Sequence, residues 1–411
     1  MRRVFLSYAS KNLDEVLLFD CQLRRHGVPL WRDRVDLAKG APTEEEVRRA
    51  GDEALGFTFY LTHDAVESEW VRVKELGSAL KNAQLDSSFG IVPVFRHHKD
   101  EVAERILKLA KDGEPQYDLR KSNGYIIRAT DGLDLEPELA TAAASVLHST
   151  LRTLKKHAPS GSRLRLAAIT RHTKPWTACP TDLAVDWSHL YPPTSKMLPN
   201  NGIGSTQLLA ALSRLGAAID HEWKDKRVQI VPHCHPSMAL AMGFLFRRGS
   251  GFDLEVLDHA TGAAVLGPPR PNAPEPGLWT ESFSEPYPAS RDIALAIGVS
   301  RDIAPDVRRV LTARGINVGA IVALTPLGGP SNAAIPMNDP GLQHRLAVAA
   351  VQRTVGLQAR RGVGAIHLFI AIPGTLAVLL GQQLTNVGAV QVYDFDNESK
   401  QYAPVFELCH M

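Results

Sequence analysis

Short apolar runs alternate with amphipathic segments over the first 155 residues of the chain. The apolar runs predict strands near residues 2–7, 28–31, 56–61, 90–95 and 124–128. After the third run, apolar residues recur at helical spacing, and Asp64 stands where it could cap that helix. Alternation of this kind is typical of a parallel sheet wrapped by helices, so we expect an α/β domain over residues 1–155.

The helical pattern ends near residue 155, and Pro159, Ser160 and Gly161 follow. Because these residue types interrupt regular structure, residues 156–162 are predicted to form a linker. A second domain is predicted over residues 163–411, divided into halves of about 163–287 and 288–411. A chain of 411 residues is long enough for domains of this size, each with its own core.

An internal repeat is the reason for dividing the second domain. Residues 164–171 and 294–301 each end an apolar strand with a hydroxyl residue and an arginine. Residues 236–243 and 373–381 each begin with proline and continue as a helix of small apolar residues, although their spacing differs by one. Two α/β halves imply a pseudo-twofold axis and a cleft between them, where helix starts and arginines could bind phosphates.

Charge and composition exclude several classes of partner. A net charge of +2 is too small for a protein that binds long nucleic acid. The four cysteines are scattered, which favours a reduced, cytoplasmic setting. The most apolar stretch, residues 366–381, is interrupted by Pro373 and Gly374, so we expect no membrane span.

The segment His233-Cys234-His235 invites interpretation as a metal site. Residues that alternate along a strand point to opposite faces, however, and no second pair of ligands follows. The sequence therefore predicts no metal site.

Candidate ligand-binding residues of the first domain lie at one rim of the predicted sheet. Ligands of such sheets sit beyond the carboxyl ends of the strands, which places Ser7, Tyr8, Asp33 and the loop 34–43 there. The tryptophans Trp31 and Trp70 are interpreted first as core residues, because tryptophan contributes mostly through burial, and alternatively as ligand platforms.

Three segments of this domain carry a family resemblance. Residues 5–10 read FLSYAS, the second strand ends in Trp31-Arg32-Asp33, and Ser68-x-Trp70 is followed by Glu75. With these motifs the domain resembles the TIR family, which implies a flavodoxin-like parallel sheet. Catalytic TIR domains cleave NAD+ between nicotinamide and ribose with one glutamate, which the resemblance maps to Glu75. The substrate-binding residues that we then expect are Ser7, Tyr8, Trp31, Asp33 and Trp70.

The spacing between Trp70 and Glu75 departs from the family pattern, in which the two residues are usually four apart. Here the spacing is five, which on a regular helix turns Glu75 about 140° away from Trp70 and towards solvent. A one-residue π-bulge would absorb the extra residue and direct Glu75 to the pocket. If the helix is regular, Glu69 is the second choice.

The second half of the C-terminal domain carries another resemblance. With His367-Leu368-Phe369 before Pro373 and Val392-Tyr393-Asp394 after it, residues 163–411 resemble the SAVED domain, a fused pair of CARF-like units. In that family the domain senses cyclic oligonucleotides in antiphage (CBASS) defence and is joined to effector domains. The candidate ligand-binding residues are Thr170, Arg171, Trp176, Ser237, Ser300, Arg301 and Thr375, with Trp176 as a base-stacking platform.

Together the two resemblances predict a TIR-SAVED effector that hydrolyses NAD+, which is its substrate, and needs no cofactor. Its activator would be a cyclic di- or trinucleotide, with cyclic triadenylate favoured, and ligand-induced association into an oligomer or filament would complete the active site. One alternative is a non-catalytic TIR adaptor whose assembly is controlled by nucleotide. Another is that the C-terminal repeat is a plain dimerisation unit.

Overall fold

The computed structural model describes residues 2–32, 43–96, 98–109, 118–119, 123–129, 132–171, 180–191, 204–258, 278–327, 329 and 340–409. Contacts between residues divide the chain into two compact units. Unit 1 comprises Met1–Ser162, Thr181–Val185 and Ala217–Asp225. Unit 2 comprises Arg163–Pro180, Asp186–Gly216 and Lys226–Met411.

Unit 1 is built on a parallel sheet with helices between its strands. The strands are β1 (Val4–Tyr8), β2 (Leu30–Trp31), β3 (Gly56–Leu61), β4 (Gly90–Phe95) and β5 (Tyr125–Ile126). The helices are α1 (Leu13–Arg25), α2 (Thr43–Asp52), α3 (His63–Glu67), α4 (Leu76–Leu85), α5 (Lys99–Leu109) and α6 (Gly132–His157), with a π-helix over Trp70–Glu75. The strand order β2-β1-β3-β4-β5 is that of flavodoxin-like folds, which confirms the predicted class.

Aromatic rings form the core on one face of this sheet. Phe5 stacks on Phe57 with ring centroids 4.7 Å apart, and Phe57 stacks on Phe59 at 5.6 Å. Trp31 adds a further ring, 4.7 Å from Phe5. Since alternate residues of a strand face the same side, Ser7 shares this face with Phe5.

Two helices of unit 1 differ from the sequence-based expectation. The helix predicted to have Asp64 as its cap is capped two residues earlier by Thr62, whose hydroxyl accepts from the backbone N–H of Ala65. That helix also ends at Glu67, so it is separate from the π-helix that follows. Helix α6 continues to His157 and thus includes the first two residues of the predicted linker.

Residues 163–411 form two sheets, most of whose residues belong to unit 2. The first, in the order β7-β6-β8-β9, uses β6 (Leu164–Ile169), β7 (Leu183–Asp186), β8 (Arg227–His233) and β9 (Asp253–Val256), with helices α7 (Leu209–Glu222) and α8 (Pro236–Leu245). The second has the order β10-β12-β11-β13-β14-β15. Its strands are β10 (Trp279–Ser284), β11 (Ile293–Gly298), β12 (Ala320–Pro326), β13 (Ile366–Ala371), β14 (Val390–Asp396) and β15 (Gln401–Leu408), with helices α9 (Ala304–Ala313), α10 (Pro340–Arg361) and α11 (Gly374–Gln383).

Strand β10 belongs to the second half, although it precedes the predicted boundary at residue 287. It pairs antiparallel with β12, for example Trp279 with Pro326 and Ser284 with Ile321. Strand β10 is thus the edge strand of the second sheet on the side of β12.

Strand register fixes how the two halves of unit 2 align. Ile169 pairs with His233 in the first half, and Gly298 pairs with Ala371 in the second. Helix α8 begins three residues after His233, and α11 begins three residues after Ala371. The number of residues between the end of the strand and the start of the helix is therefore the same in both halves.

This register corrects the predicted repeat by one residue. Ser237 corresponds to Thr375, whereas Arg171 corresponds to Ser300 and not to Arg301. The sequence comparison aligned Pro236 with Pro373. In the structure Pro236 is the first residue of its helix, whereas Pro373 precedes its helix.

Helices α8 and α11 cross in contact at a pair of glycines. A Cβ on Gly243 would lie 1.9 Å from the carbonyl oxygen of Val378, and one on Gly381 would lie 2.1 Å from that of Leu240. In the aligned halves Gly243 is equivalent to Gly381, and Leu240 is equivalent to Val378. Each contact is therefore the counterpart of the other, as a pseudo-twofold axis through the crossing requires. Only glycine permits so close an approach at these positions.

Within the described ranges, no helix combines the length and the apolar composition that crossing a membrane requires.

Candidate functional site

The π-helix places Glu75 in the interior of unit 1. The backbone N–H of Leu76 bonds to the carbonyl of Val71, five residues earlier, so the extra residue between Trp70 and Glu75 is absorbed. The Glu75 side chain is turned inward, and the residue is only 8% exposed. The predicted π-bulge is therefore confirmed, and Glu69 remains exposed.

The carboxylate of Glu75 is held by the first strand. The hydroxyl of Ser7, at the carboxyl end of β1, donates to Oε2 of Glu75. Ser7 is buried, so this hydrogen bond forms away from water and fixes the orientation of the carboxylate.

A small cavity adjoins this carboxylate. Its volume is about 110 Å³, and the rings of Phe5 and Phe57 form its floor. The remaining walls come from α2, the π-helix and α4; they are Glu44, Val47, Arg48, Gly51, Lys74, Glu75 and Ser78. Lys74 and Glu44 form an exposed ion pair at 3.1 Å. Known ligand pockets measure about 300–1,000 Å³, so this cavity matches one ring of a ligand.

The other residues predicted to bind substrate do not all join Glu75. Tyr8 follows Ser7 on β1, so strand alternation directs it to the opposite face, where its neighbour Tyr60 contacts α1. Trp31 is half-buried against Phe5 and lines a second cavity of about 690 Å³. Asp33 and the side chain of Trp70 lie outside the described residues.

The second cavity lies at the amino ends of the strands. Its lining includes Arg2 and Arg3 before β1, and Glu53 and Ala54 before β3. Glu75 is not among the residues that line this second cavity.

A partly buried hydrogen-bond network that sequence analysis missed joins α1 to the ends of β3 and β4. The Tyr60 hydroxyl donates to Glu15 at 2.6 Å, and Arg96 bonds to Glu15 at 3.1 Å and to the carbonyl of Ala129 at 2.8 Å. Burial and the hydrogen bond to Glu15 raise the pKa of Tyr60 far above its usual value. These contacts anchor the ends of β3 and β4, and no local motif indicates them.

In unit 2, Thr170 is bound to the start of α8. Its hydroxyl accepts from the backbone N–H of His235 at 2.8 Å and lies 2.7 Å from Nδ1 of that histidine. The ring of Tyr191 stacks on His235 with centroids 4.6 Å apart and an angle of 2°. Thr170 thus holds the end of β6 against α8, the capping role that strand-end hydroxyls commonly fill.

Ser237 and Asp394 join the two halves of unit 2. The Ser237 hydroxyl, in the first turn of α8, donates to Oδ2 of Asp394 near the end of β14 at 2.6 Å. Both residues are buried, and burial raises the pKa of Asp394 to about 6, although the hydrogen bond from Ser237 opposes the rise. Thr375, the counterpart of Ser237, instead donates to Gln343 at 2.8 Å.

Arg301 takes part in a packed cluster of the second half. It pairs with Asp306 at 2.6 Å, and its guanidinium lies 4.2 Å from the ring centroid of Phe395. Ser300 is exposed and contacts the carbonyl of Ala371 at 3.4 Å. These contacts give both residues structural partners within the second sheet.

Arg171 is exposed and follows β6 next to the buried helix start. Burial raises the pKa of Cys234 to about 12, and the charge of Arg171 opposes that rise. Arg171 therefore lies close enough to act on Cys234, which stands two residues before the start of α8. Trp176 lies outside the described residues.

Sequence profiles of two families match the chain. Residues 4–126 match the TIR domain, and residues 212–408 match the SMODS-associated and fused to various effectors sensor domain, SAVED. The chain is a fusion of a TIR domain with a SAVED domain.

Relatives of this TIR-SAVED fusion include CD-NTase-associated protein 4 of Enterobacter hormaechei subsp. hoffmannii (strain UCI 50). It is 23% identical over 188 residues, which cover 45% of this chain and 36% of the relative, so the match spans about a third of the relative's length.

Solved structures similar to the chain include the Acinetobacter baumannii Cap4 SAVED/CARF-domain receptor with the cyclic trinucleotide 3'3'3'-cAAA. It is 14% identical, with 97% of this chain and 98% of that chain covered and a TM-score of 0.48. The Moraxella osloensis Cap4 SAVED/CARF-domain receptor is 15% identical, with 96% and 98% covered and a TM-score of 0.42.

Proposed function

We propose that this TIR-SAVED protein is an NAD+ nucleosidase that a cyclic oligonucleotide activates, and that it acts as an effector in bacterial antiphage (CBASS) defence. The observation that carries the proposal is the buried Glu75, which the π-helix turns inward and Ser7 holds beside the cavity.

One carboxylate is sufficient for this reaction. Nicotinamide leaves NAD+ as a neutral ring, so no general acid is required, and the ribose develops oxocarbenium character as a sugar does in glycoside hydrolysis. A carboxylate oriented in a dry site stabilises that positive charge or holds the ribose hydroxyls. Such stabilisation is commonly worth about 3 kcal/mol or more, which corresponds to a rate change of about 100-fold or more.

The size of the cavity supports activation by assembly. A volume of about 110 Å³ accommodates a ring such as nicotinamide, but NAD+ is several times larger. Further walls would therefore be needed around the described cavity, and a neighbouring copy of the chain is proposed to supply them. A monomer would then be inactive, and a ligand that favours the assembled state would shift the population towards it.

The activating ligand is proposed to be a cyclic trinucleotide, with cyclic triadenylate first. The Cap4 receptor described above was solved with a cyclic trinucleotide of three adenosines. In the present chain, Arg171 and the start of α8 at Ser237 are the proposed contact region for phosphates. Trp176, Ser300, Arg301 and Thr375 remain proposed contacts, and NAD+ is the substrate with no further cofactor.

The test measures fluorescence from etheno-NAD with the full chain and a panel of cyclic di- and trinucleotides. At least one member is expected to start turnover, and Glu75→Gln is expected to reduce the rate about 100-fold or more. Glu69→Gln is the matched control, because Glu69 is exposed on the same segment and should retain activity. Silence with every nucleotide, or full activity of Glu75→Gln, would contradict the proposal.

A non-catalytic adaptor is the second candidate, and the small volume beside Glu75 is the observation that favours it. An adaptor would assemble with nucleotide but leave NAD+ intact. Sedimentation measured together with NAD+ loss separates the two functions, since Glu75→Gln would assemble normally in both cases and lose turnover only in the enzyme.

A further inference from the structure

A cluster of two histidines and one glutamate lies in unit 1, away from Glu75. His148 is on α6, while His221 and Glu222 form the end of α7, and all three belong to unit 1. Nδ1 of His148 lies 3.1 Å from Oε1 of Glu222, and Nδ1 of His221 lies 3.2 Å from the same oxygen. The three donor atoms are all within 4.8 Å of one another.

These distances suit coordination of one metal ion. Zn²⁺ binds histidine nitrogen and carboxylate oxygen at about 2.0–2.2 Å, so neighbouring donors of a tetrahedral site are about 3.3 Å apart. The two distances to Oε1 of Glu222 are close to that edge length. The rings of His148 and His221 are 5.7 Å apart between centroids at 74°, which brings them to the oxygen from different directions.

The electrostatic surroundings favour a cation. His221 and Glu222 end α7, and the carboxyl end of a helix carries partial negative charge. The Glu222 side chain is 9% exposed, so its carboxylate is partly shielded from water. Arg152 also contacts Glu222, but at 3.5 Å and through Oε2, and its side chain is 68% exposed and can turn outward.

We propose that His148, His221 and Glu222 bind one Zn²⁺ ion, with water in the fourth position. Two histidines and one carboxylate form a donor set that zinc commonly takes, and the ion would link α6 to the end of α7. Because the site would exist only in the folded state, the free energy of binding Zn²⁺ would add to the stability of the fold. The site is separate from the TIR and SAVED sites and does not depend on the proposed function.

The test uses the full chain after treatment with EDTA and desalting, titrated with ZnCl₂ in a calorimeter. One equivalent is expected to bind, and CoCl₂ is expected to give the visible absorption of tetrahedral Co²⁺. His221→Ala should weaken binding by about tenfold or more, and the change should leave packing intact because the His221 side chain is 76% exposed. Glu222→Gln should have the same effect on binding.

His63→Ala is the matched control, because His63 is also exposed and lies 3.7 Å from the single carboxylate of Glu101. It should bind zinc like the original chain. Hydrogen exchange adds a local readout: Zn²⁺ should slow exchange over residues 217–225 in the original chain and in His63→Ala, but not in His221→Ala. Absence of saturable binding, or equal binding by His221→Ala, would overturn the proposal and leave a hydrogen-bonded cluster.

Discussion

Replacing Asp394 by asparagine should stabilise the SAVED domain at neutral pH. Asp394 is 6% exposed, and its Oδ2 accepts the hydroxyl of Ser237 from the opposite half of the domain. Burial raises its pKa from 3.8 to about 6 because the ionised form loses solvation, although Ser237 opposes this. Asparagine retains an oxygen for Ser237 but carries no charge.

The sign and size of the effect follow from the pKa. Between about pH 4 and pH 6 the folded state binds a proton that the unfolded state has released, so stability falls as pH rises through this window and is constant above it. The two pKa values differ by roughly two units at about 1.4 kcal/mol each, which gives ~3 kcal/mol. A weaker hydrogen bond from Ser237 removes ~1 kcal/mol of this, so Asp394→Asn should gain about 2 kcal/mol at pH 8.

Calorimetric melting of the full chain at pH 4.5 and pH 8 tests this prediction. A gain of about 2 kcal/mol corresponds to a rise of roughly 4–8 °C at pH 8 for a domain of this size, and little change is expected at pH 4.5. Asp396→Asn is the control of opposite sign: hydrogen bonds from Ser399 and Glu398 lower the pKa of Asp396, so removing its charge should not stabilise the protein. A lower melting temperature of Asp394→Asn at pH 8 would refute the reasoning.

Three further substitutions test the helix crossing and the cavity. Gly243→Ala places a methyl group 1.9 Å from the Val378 carbonyl oxygen and should destabilise the domain by about 2–3 kcal/mol in urea unfolding, whereas Gly356→Ala, with open space around it, should be neutral or stabilising. Gly51→Ala meets its nearest neighbour at 3.4 Å and should fold normally, but the smaller cavity should raise KM for NAD+ in etheno-NAD assays. Ser7→Ala should lower kcat by about tenfold with little change in KM, because it removes the group that orients the buried carboxylate.

Local periodicity was sufficient to predict the parallel sheet of unit 1, whereas the choice of Glu75 came from the resemblance to the TIR family. Strands over 56–61 and 90–95 were predicted at their observed bounds, because buried parallel strands are continuous apolar runs bounded by turns. The five-residue spacing before Glu75 could be interpreted because an extra residue in a helix has few ways to be accommodated. In both cases the evidence lies within a few neighbouring residues.

The SAVED domain was harder to predict at the level of residues. The sequence shows the repeat, but the predicted alignment of its two halves is displaced by one residue. The strand pairings of His233 and Ala371 give the correct alignment. Arg301 is predicted to bind ligand from its place in a sequence pattern, and in the structure it pairs with Asp306 and lies over the ring of Phe395. Polar residues at strand ends look alike in a sequence whether they bind a ligand or a neighbouring helix.

Contacts that join distant segments were the main omission. Ser237 and Asp394 are 157 residues apart, and neither stands in a motif that indicates the other. The same holds for His148 and Glu222, which are 74 residues apart. Such pairs depend on the packing of whole helices and strands, so only the folded structure brings them together.

The geometry of the TIR domain also limits what activation has to accomplish. Under the proposed function, Ser7 and the π-helix already hold Glu75 inward within a single TIR domain, so the carboxylate would need no rearrangement before it acts. The described cavity beside Glu75 is smaller than a dinucleotide, and walls added by a neighbouring copy would enlarge the site without moving the carboxylate. A ligand that drives assembly from 1% to 99% must favour the assembled state by about 5.5 kcal/mol. That free energy could then be used for association alone, since the proposed catalytic group is already oriented.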